Sequence, residues 1–119
     1  MKKPLMLSKE EQIYFMRSLY SVFMIDYKLH EVEQGALGIL ETQFDISKDL
    51  YSYPIFKNTE EIANEINKIK DFQVRRCFMH MIHEVYHEII KGFFSGPNTE
   101  EAKLFRKLYD DLKIRINLE

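Results

Sequence analysis

Residues 8–23 read SKEEQIYFMRSLYSVF, and the periodicity of this stretch decides the fold class. Ser8 followed three residues later by Glu11 has the form of a capping box: the serine hydroxyl takes the Glu11 amide while the glutamate reaches back. Behind the box, Ile13, Met16, Leu19, Tyr20, Phe23 and Tyr27 recur at helical intervals. This spacing predicts a first helix running to about Asp26.

The same punctuation repeats along the chain. A second helix carries Val32, Ala36, Leu40 and Phe44 at four-residue steps. Gly35 and Gly38 inside it each cost up to about 1 kcal/mol against alanine, so they mark either a close helix–helix approach or a weak helix. Residues 45–58, with Asp45, Ser47, Ser52, Pro54 and Asn58, read as a connection, and Pro54 biases Tyr53 away from helix. Asn58-Thr59-Glu60-Glu61 then caps a helix bearing Ile62, Ile66 and Ile69. Asp71 opens a long helix to about Lys91, stopped by Gly92 and the Ser95-Gly96-Pro97 turn. Asn98-Thr99-Glu100-Glu101 caps a last helix with Phe105, Leu108, Leu112 and Ile116 on one face. Only Lys113–Leu118 alternates like a strand, and it is too short to make a sheet alone. The expectation is an all-α compact bundle of about five to seven helices.

The two halves echo each other. Phe15-Met16, Leu19 and Val22-Phe23 match Phe78-Met79, Ile82 and Val85-Tyr86 at a constant offset. Each set is followed by a break, a glutamate pair and a second helix, ending Leu40–Ile46 in one half and Leu108–Ile114 in the other. This pattern predicts a single domain over 1–119 built from two helix–turn–helix hairpins, an internal pseudo-repeat. The first copy spans about 8–47, the connector about 48–70 and the second copy about 71–116. Two copies are too few for an open solenoid, so a closed globule is expected.

Composition narrows the function classes. The 119 residues suit one domain, and 45% apolar with 30% charged residues is ordinary for a soluble protein. A net charge of -2 with intermixed signs offers no basic stripe for nucleic acid. The single cysteine, Cys77, excludes an internal disulfide and fits a reducing compartment. The apolar run after Met1-Lys2-Lys3 stops at Ser8, too early for a signal peptide, and no stretch is long and apolar enough to span a membrane. A cytoplasmic location is therefore expected. No serine sits in a nucleophile elbow, and the four glycines form no phosphate loop. Nine Phe, seven Tyr and six Met exceed what so small a core comfortably buries. Ile55-Phe56, Phe93-Phe94 and Met79 with Ile90 are the candidate apolar patch for a protein partner or homodimer.

Within the long helix, His83-Glu84-Val85-Tyr86-His87 spells H-E-x-x-H, the string with which zinc peptidases hold their metal. That chemistry needs His83 and His87 as ligands, Glu84 as general base and a third ligand, for which Glu100 or Glu101 would serve. Context argues against it. At about 100° per residue, Val74, Phe78, Met81, Ile82, Val85 and Ile89 cluster on one side, and His80, His83 and His87 fall opposite beside Arg76. A solvated histidine face, or a non-catalytic metal or partner contact, is the expected role. The balance is against an enzyme.

The segment Asp26-Tyr27-Lys28-Leu29-His30-Glu31-Val32-Glu33 joins the first two helices. Glu31 and Glu33 suit the dipole of a helix start. Asp26, Glu31 and Glu33 are also hard oxygen donors and form a candidate divalent-metal site. From about Glu11 to Ser47 the chain resembles the tellurite-resistance TerB-like helical family. That family's pattern is an apolar helix ending in Asp-Gly-x-Ile, then an acidic helix start with a glutamate seven residues after the aspartate. Asp26, Leu29 and Glu33 stand at the matching places, and Phe44-Asp45-Ile46-Ser47 is similar to the family's leucine-glycine-leucine-serine exit. Tyr27 replaces the usual glycine. In the second copy Phe94 stands seven residues before Glu101 in place of the aspartate, and Gly96-Pro97 replaces the isoleucine. The resemblance implies a duplicated all-α hairpin domain and a non-enzymatic interaction module of bacterial stress or membrane-associated responses. It also implies a divalent-metal site surviving only in part, through Asp26 and Glu33.

Overall fold

The computed structural model describes residues 7–25, 31–53, 55–91 and 100–119. Within them the chain forms α1 (Lys9–Phe23), α2 (Glu31–Phe44), a single 3-10 turn (Lys48–Leu50), α3 (Thr59–Ile66), α4 (Phe72–Lys91) and α5 (Glu100–Arg115). No strand occurs among the described residues, and Lys113–Leu118 divides between the end of α5 and a coil.

The start signals work largely as their chemistry dictates. The Ser8 hydroxyl accepts the Glu11 amide at 3.2 Å, and the Asn58 side chain accepts the Glu61 amide at 2.9 Å. The Asp71 carboxylate receives the Gln73 amide at 2.9 Å at the head of α4. Glu11 departs from the expected box. Its carboxylate takes the Ser8 hydroxyl at 3.4 Å and the Lys70 amide at 3.2 Å, so it ties the start of α1 to the α3–α4 turn. Helix α1 also ends at Phe23, short of Asp26, with the Met24 amide bonded to the Tyr20 carbonyl. The Asn98-Thr99 cap of the last helix and the Gly92–Pro97 stop lie outside the described residues, as does Pro54.

The five helices close a ring. Helix α1 packs on α3, α3 on α5, α5 on α4, α4 on α2 and α2 back on α1, while α1 and α4 also meet across the centre. The radius of gyration is 13.6 Å, which matches the roughly 13.5 Å expected of a compact chain of this length. At the centre Phe15 of α1 meets Phe78 of α4 edge-on at 5.5 Å and Phe44 of α2 at 6.3 Å. Such edge-to-face pairs add roughly 0.5–1.5 kcal/mol beyond their buried area. Helix α1 is enclosed on most sides, so Ser18 and Ser21 are fully buried. Each hydroxyl donates back to a carbonyl one turn earlier, at 2.8 and 2.7 Å. Ser21 also accepts the Phe56 amide at 3.0 Å, fastening the connector across α1.

Helix α2 corrects the expectation about its buried face. The residues turned inward are Glu33, Leu37, Leu40 and Phe44, while Val32 is exposed and Ala36 only half-buried. Four-residue steps drift by about 40° each, so three steps carry Val32 about 120° away from Phe44. Of the two readings of the glycines, the close approach fails. Gly35 and Gly38 lie on the open side, and a Cβ built on either would meet nothing within 4 Å. They mark no close helix approach. The helix ends with Asp45 at φ 53°, a left-handed cap. The Ile46 amide bonds the Glu41 carbonyl at 3.2 Å and the Asp45 amide bonds the Thr42 carbonyl at 3.3 Å, the paired bonds of a Schellman motif. The Lys9 ammonium reaches over from α1 to donate to the Phe44 carbonyl, placing a cation at the negative end of the α2 dipole.

The chain's C-terminal segment is clasped by α3 and α4. Buried Arg75 donates to the Ile69 and Asn117 carbonyls, and Arg76 donates to the Leu118 carbonyl at 2.7 Å. Asn67 donates to the Arg115 carbonyl at 3.2 Å and accepts the Asn117 amide at 2.9 Å. Only part of the expected apolar patch falls among the described residues. Met79 is buried, and Ile55 and Phe56 pack half-buried against the core. Phe93 and Phe94, and the side chain of Ile90, lie outside the described residues. The large apolar side chains that do face outward include Ile39, Tyr53, Leu104 and Ile114.

Candidate functional site

Two regions carry the residues singled out by chemistry: the start of α2 and the outer face of α4. At the first, Asp26 and the rest of the joining segment to His30 lie outside the described residues. Glu31 and Glu33 occupy the first turn of α2, where the helix dipole favours carboxylates. They point in different directions. Glu31 is exposed, whereas Glu33 is 2% exposed and is partnered where it lies. Residues two apart on a helix stand about 200° from one another, so Glu31 and Glu33 do not converge on a common point.

Helix α4 is positioned by its inner face. Val74, Phe78, Ile82 and Val85 are buried and Met81 is half-buried, matching the side expected to be apolar; the Ile89 side chain lies outside the described residues. His80, His83 and His87 are accordingly turned to solvent. The His83 and His87 rings lie nearly parallel, 10° apart in plane with centroids 6.3 Å apart. His83 also leans on the Tyr109 ring of α5 at 5.7 Å. His80 and Glu84, both exposed, approach to 3.8 Å.

Among the described residues, His83, Glu84 and His87 lie on an exposed helix face. Glu84 faces open solvent and lies beside His80, one turn back, not over a sheltered substrate position. Of the candidate third ligands, Glu100 is exposed and pairs with Lys103 at 3.6 Å, and the Glu101 side chain lies outside the described residues. Among the described residues no group of three or more His, Cys, Asp or Glu side chains could hold a metal ion. Beside the histidines runs an open groove of about 350 Å³ lined by Arg76, Met79, His80, His83, Tyr109 and Leu118. The clasped C-terminal segment forms one wall of it.

Burial pushes the Cys77 thiol up from its ordinary value, which lowers its thiolate fraction and its reactivity. Burial, reinforced by a hydrogen bond to Glu41, likewise raises the Tyr51 hydroxyl. The Asp111 carboxyl is held down by the Thr59 hydroxyl that donates to it, with Arg115 adding to the effect. Glu65, nearly buried, is balanced by Lys68 at 2.7 Å and Arg17 at 3.6 Å. Sequence reasoning missed the Tyr109 contact, the C-terminal clasp and the Glu65 cluster. Each joins residues far apart in the chain, and only the adjacent pair Arg75-Arg76 hinted at one of them.

Comparison with protein-family models, with curated proteins and with solved structures finds no match to this chain. No helix among the described residues is long and apolar enough to cross a membrane.

Proposed function

We propose that this chain is a TerB-like helical interaction module and not a hydrolase, with a divalent cation as candidate ligand at the α1–α2 hinge. The observation that carries the reading is the exit from α2. Asp45 adopts a left-handed φ of 53° at the position where the family's pattern has glycine, the residue that conformation favours. The meeting of Phe15 and Phe78, which occupy equivalent places in the two halves, also supports a duplicated hairpin. The solvent-facing His83, Glu84 and His87 support a role other than hydrolysis.

At the hinge, Glu33 with Asp26 forms the candidate donor pair, and Glu31 stands apart from it. Calorimetric titration of the intact chain with the oxygen-seeking ions calcium, magnesium and manganese tests this. Binding that disappears in Asp26→Ala/Glu33→Ala and persists in Glu31→Ala is expected. A double variant that binds as well as the original chain refutes the hinge site.

A further inference from the structure

We propose that His83 and His87 form a two-imidazole site for a borderline transition metal of the nickel, copper and zinc class on the outer face of α4. The site is independent of the acidic hinge and needs no catalysis. Its first support is geometric. The two rings stand one helical turn apart with centroids 6.3 Å apart, and both are exposed, so side-chain rotation alone brings a nitrogen of each to the roughly 2.0–2.1 Å an ion requires. Ligands four residues apart on one helix face are the arrangement that lets two imidazoles share an ion.

The second support is what holds the rings there. Helix α4 is fixed from below by fully buried Val74, Phe78 and Ile82, so the backbone spacing of the donors does not depend on the ion. Tyr109 of α5 packs against His83 and limits its swing toward the neighbouring helix. Both imidazoles are already exposed, so an ion reaches them without opening the core. Glu84 and Glu88 follow the two histidines by one residue each and add negative charge to that side of α4.

Ligand type selects the ion. Neutral imidazoles suit nickel, copper and zinc, whereas calcium and magnesium demand oxygen donors. His80 is turned to Glu84 at 3.8 Å and is not one of the two donors. With two protein ligands the other coordination positions belong to water, which makes the ion exchangeable and leaves room for a second molecule's donor.

Titration of the full chain with nickel chloride, followed by calorimetry, is the test. Saturable binding of one nickel is expected, weakened by about tenfold or more in His83→Ala and in His87→Ala. It should be retained in His80→Ala and in Asp26→Ala/Glu33→Ala, the second of which separates this site from the hinge. Circular dichroism should show unchanged helix content in the histidine variants, since both side chains are exposed. No saturable nickel binding in the original chain overturns the proposal. So does binding of undiminished strength in either His83→Ala or His87→Ala, or a loss in His80→Ala equal to theirs.

Discussion

Alanine at Gly35 and Gly38 should stabilise this protein. Both glycines lie within α2, on its open side, and an added Cβ at either would touch nothing within 4 Å. Neither has the left-handed backbone that would make a side chain strained. The change therefore removes backbone freedom from the unfolded chain and introduces no clash into the folded one. Each substitution is worth about 0.8–1 kcal/mol on helix propensity, and the pair somewhat under 2 kcal/mol. With an unfolding entropy of about 2.1 cal/mol/K per residue, a domain of this size gains about 4 °C in Tm per kcal/mol, or about 6–8 °C for the pair. Urea denaturation followed by far-ultraviolet circular dichroism measures it directly. The midpoint should rise with the slope unchanged, because the surface exposed on unfolding hardly changes. A double variant less stable than the original would refute the reasoning and show that another element of the chain packs closely on that face of α2.

Other perturbations probe the tertiary connections. Arg75→Met should cost about 3 kcal/mol in urea denaturation, since it strips a charged donor from the Ile69 and Asn117 carbonyls. Arg76→Ala, whose side chain is exposed, should cost well under half as much. Asp111 gives a pH signature. Its folded-state value lies below the unfolded one, so its contribution is full above the unfolded value of about 3.9 and is lost as pH falls through the lower folded value. Thr59→Val removes the largest cause of that depression. It should flatten the fall of stability below about pH 4, measured by urea midpoints across an acid series. An unchanged acid slope would mean that the Thr59 bond does not set the Asp111 titration.

Much of the fold was legible in the chain. The Ser8 and Asn58 caps, the inner face of α4 and the buried Leu108 and Leu112 of α5, with Ile116 just past its end, follow from local spacing. So did the outward direction of the histidines, because a side chain opposite an apolar stripe has no core to enter. The inward set of α2 was misread because equal four-residue steps look like a stripe yet wind around the helix. Gly35 and Gly38 suggested either a packed interface or a weak helix, and glycine reports a missing side chain and not what stands next to it.

By itself, then, the sequence determined the helices, the starts of α1, α3 and α4 and most of the apolar faces, since these depend on residues within a few positions of one another. Only the tertiary structure decided that Glu11 would hold the Lys70 amide, 59 residues away. It also decided that Arg75 would hold Asn117 and that His83 would lean on Tyr109. Such contacts depend on which helix lies beside which and at what rotation, and a helical period is the same whichever neighbour covers it. The same physics separates Glu31 from Glu33: two positions apart in a string they look like a pair, and on a helix they face opposite ways.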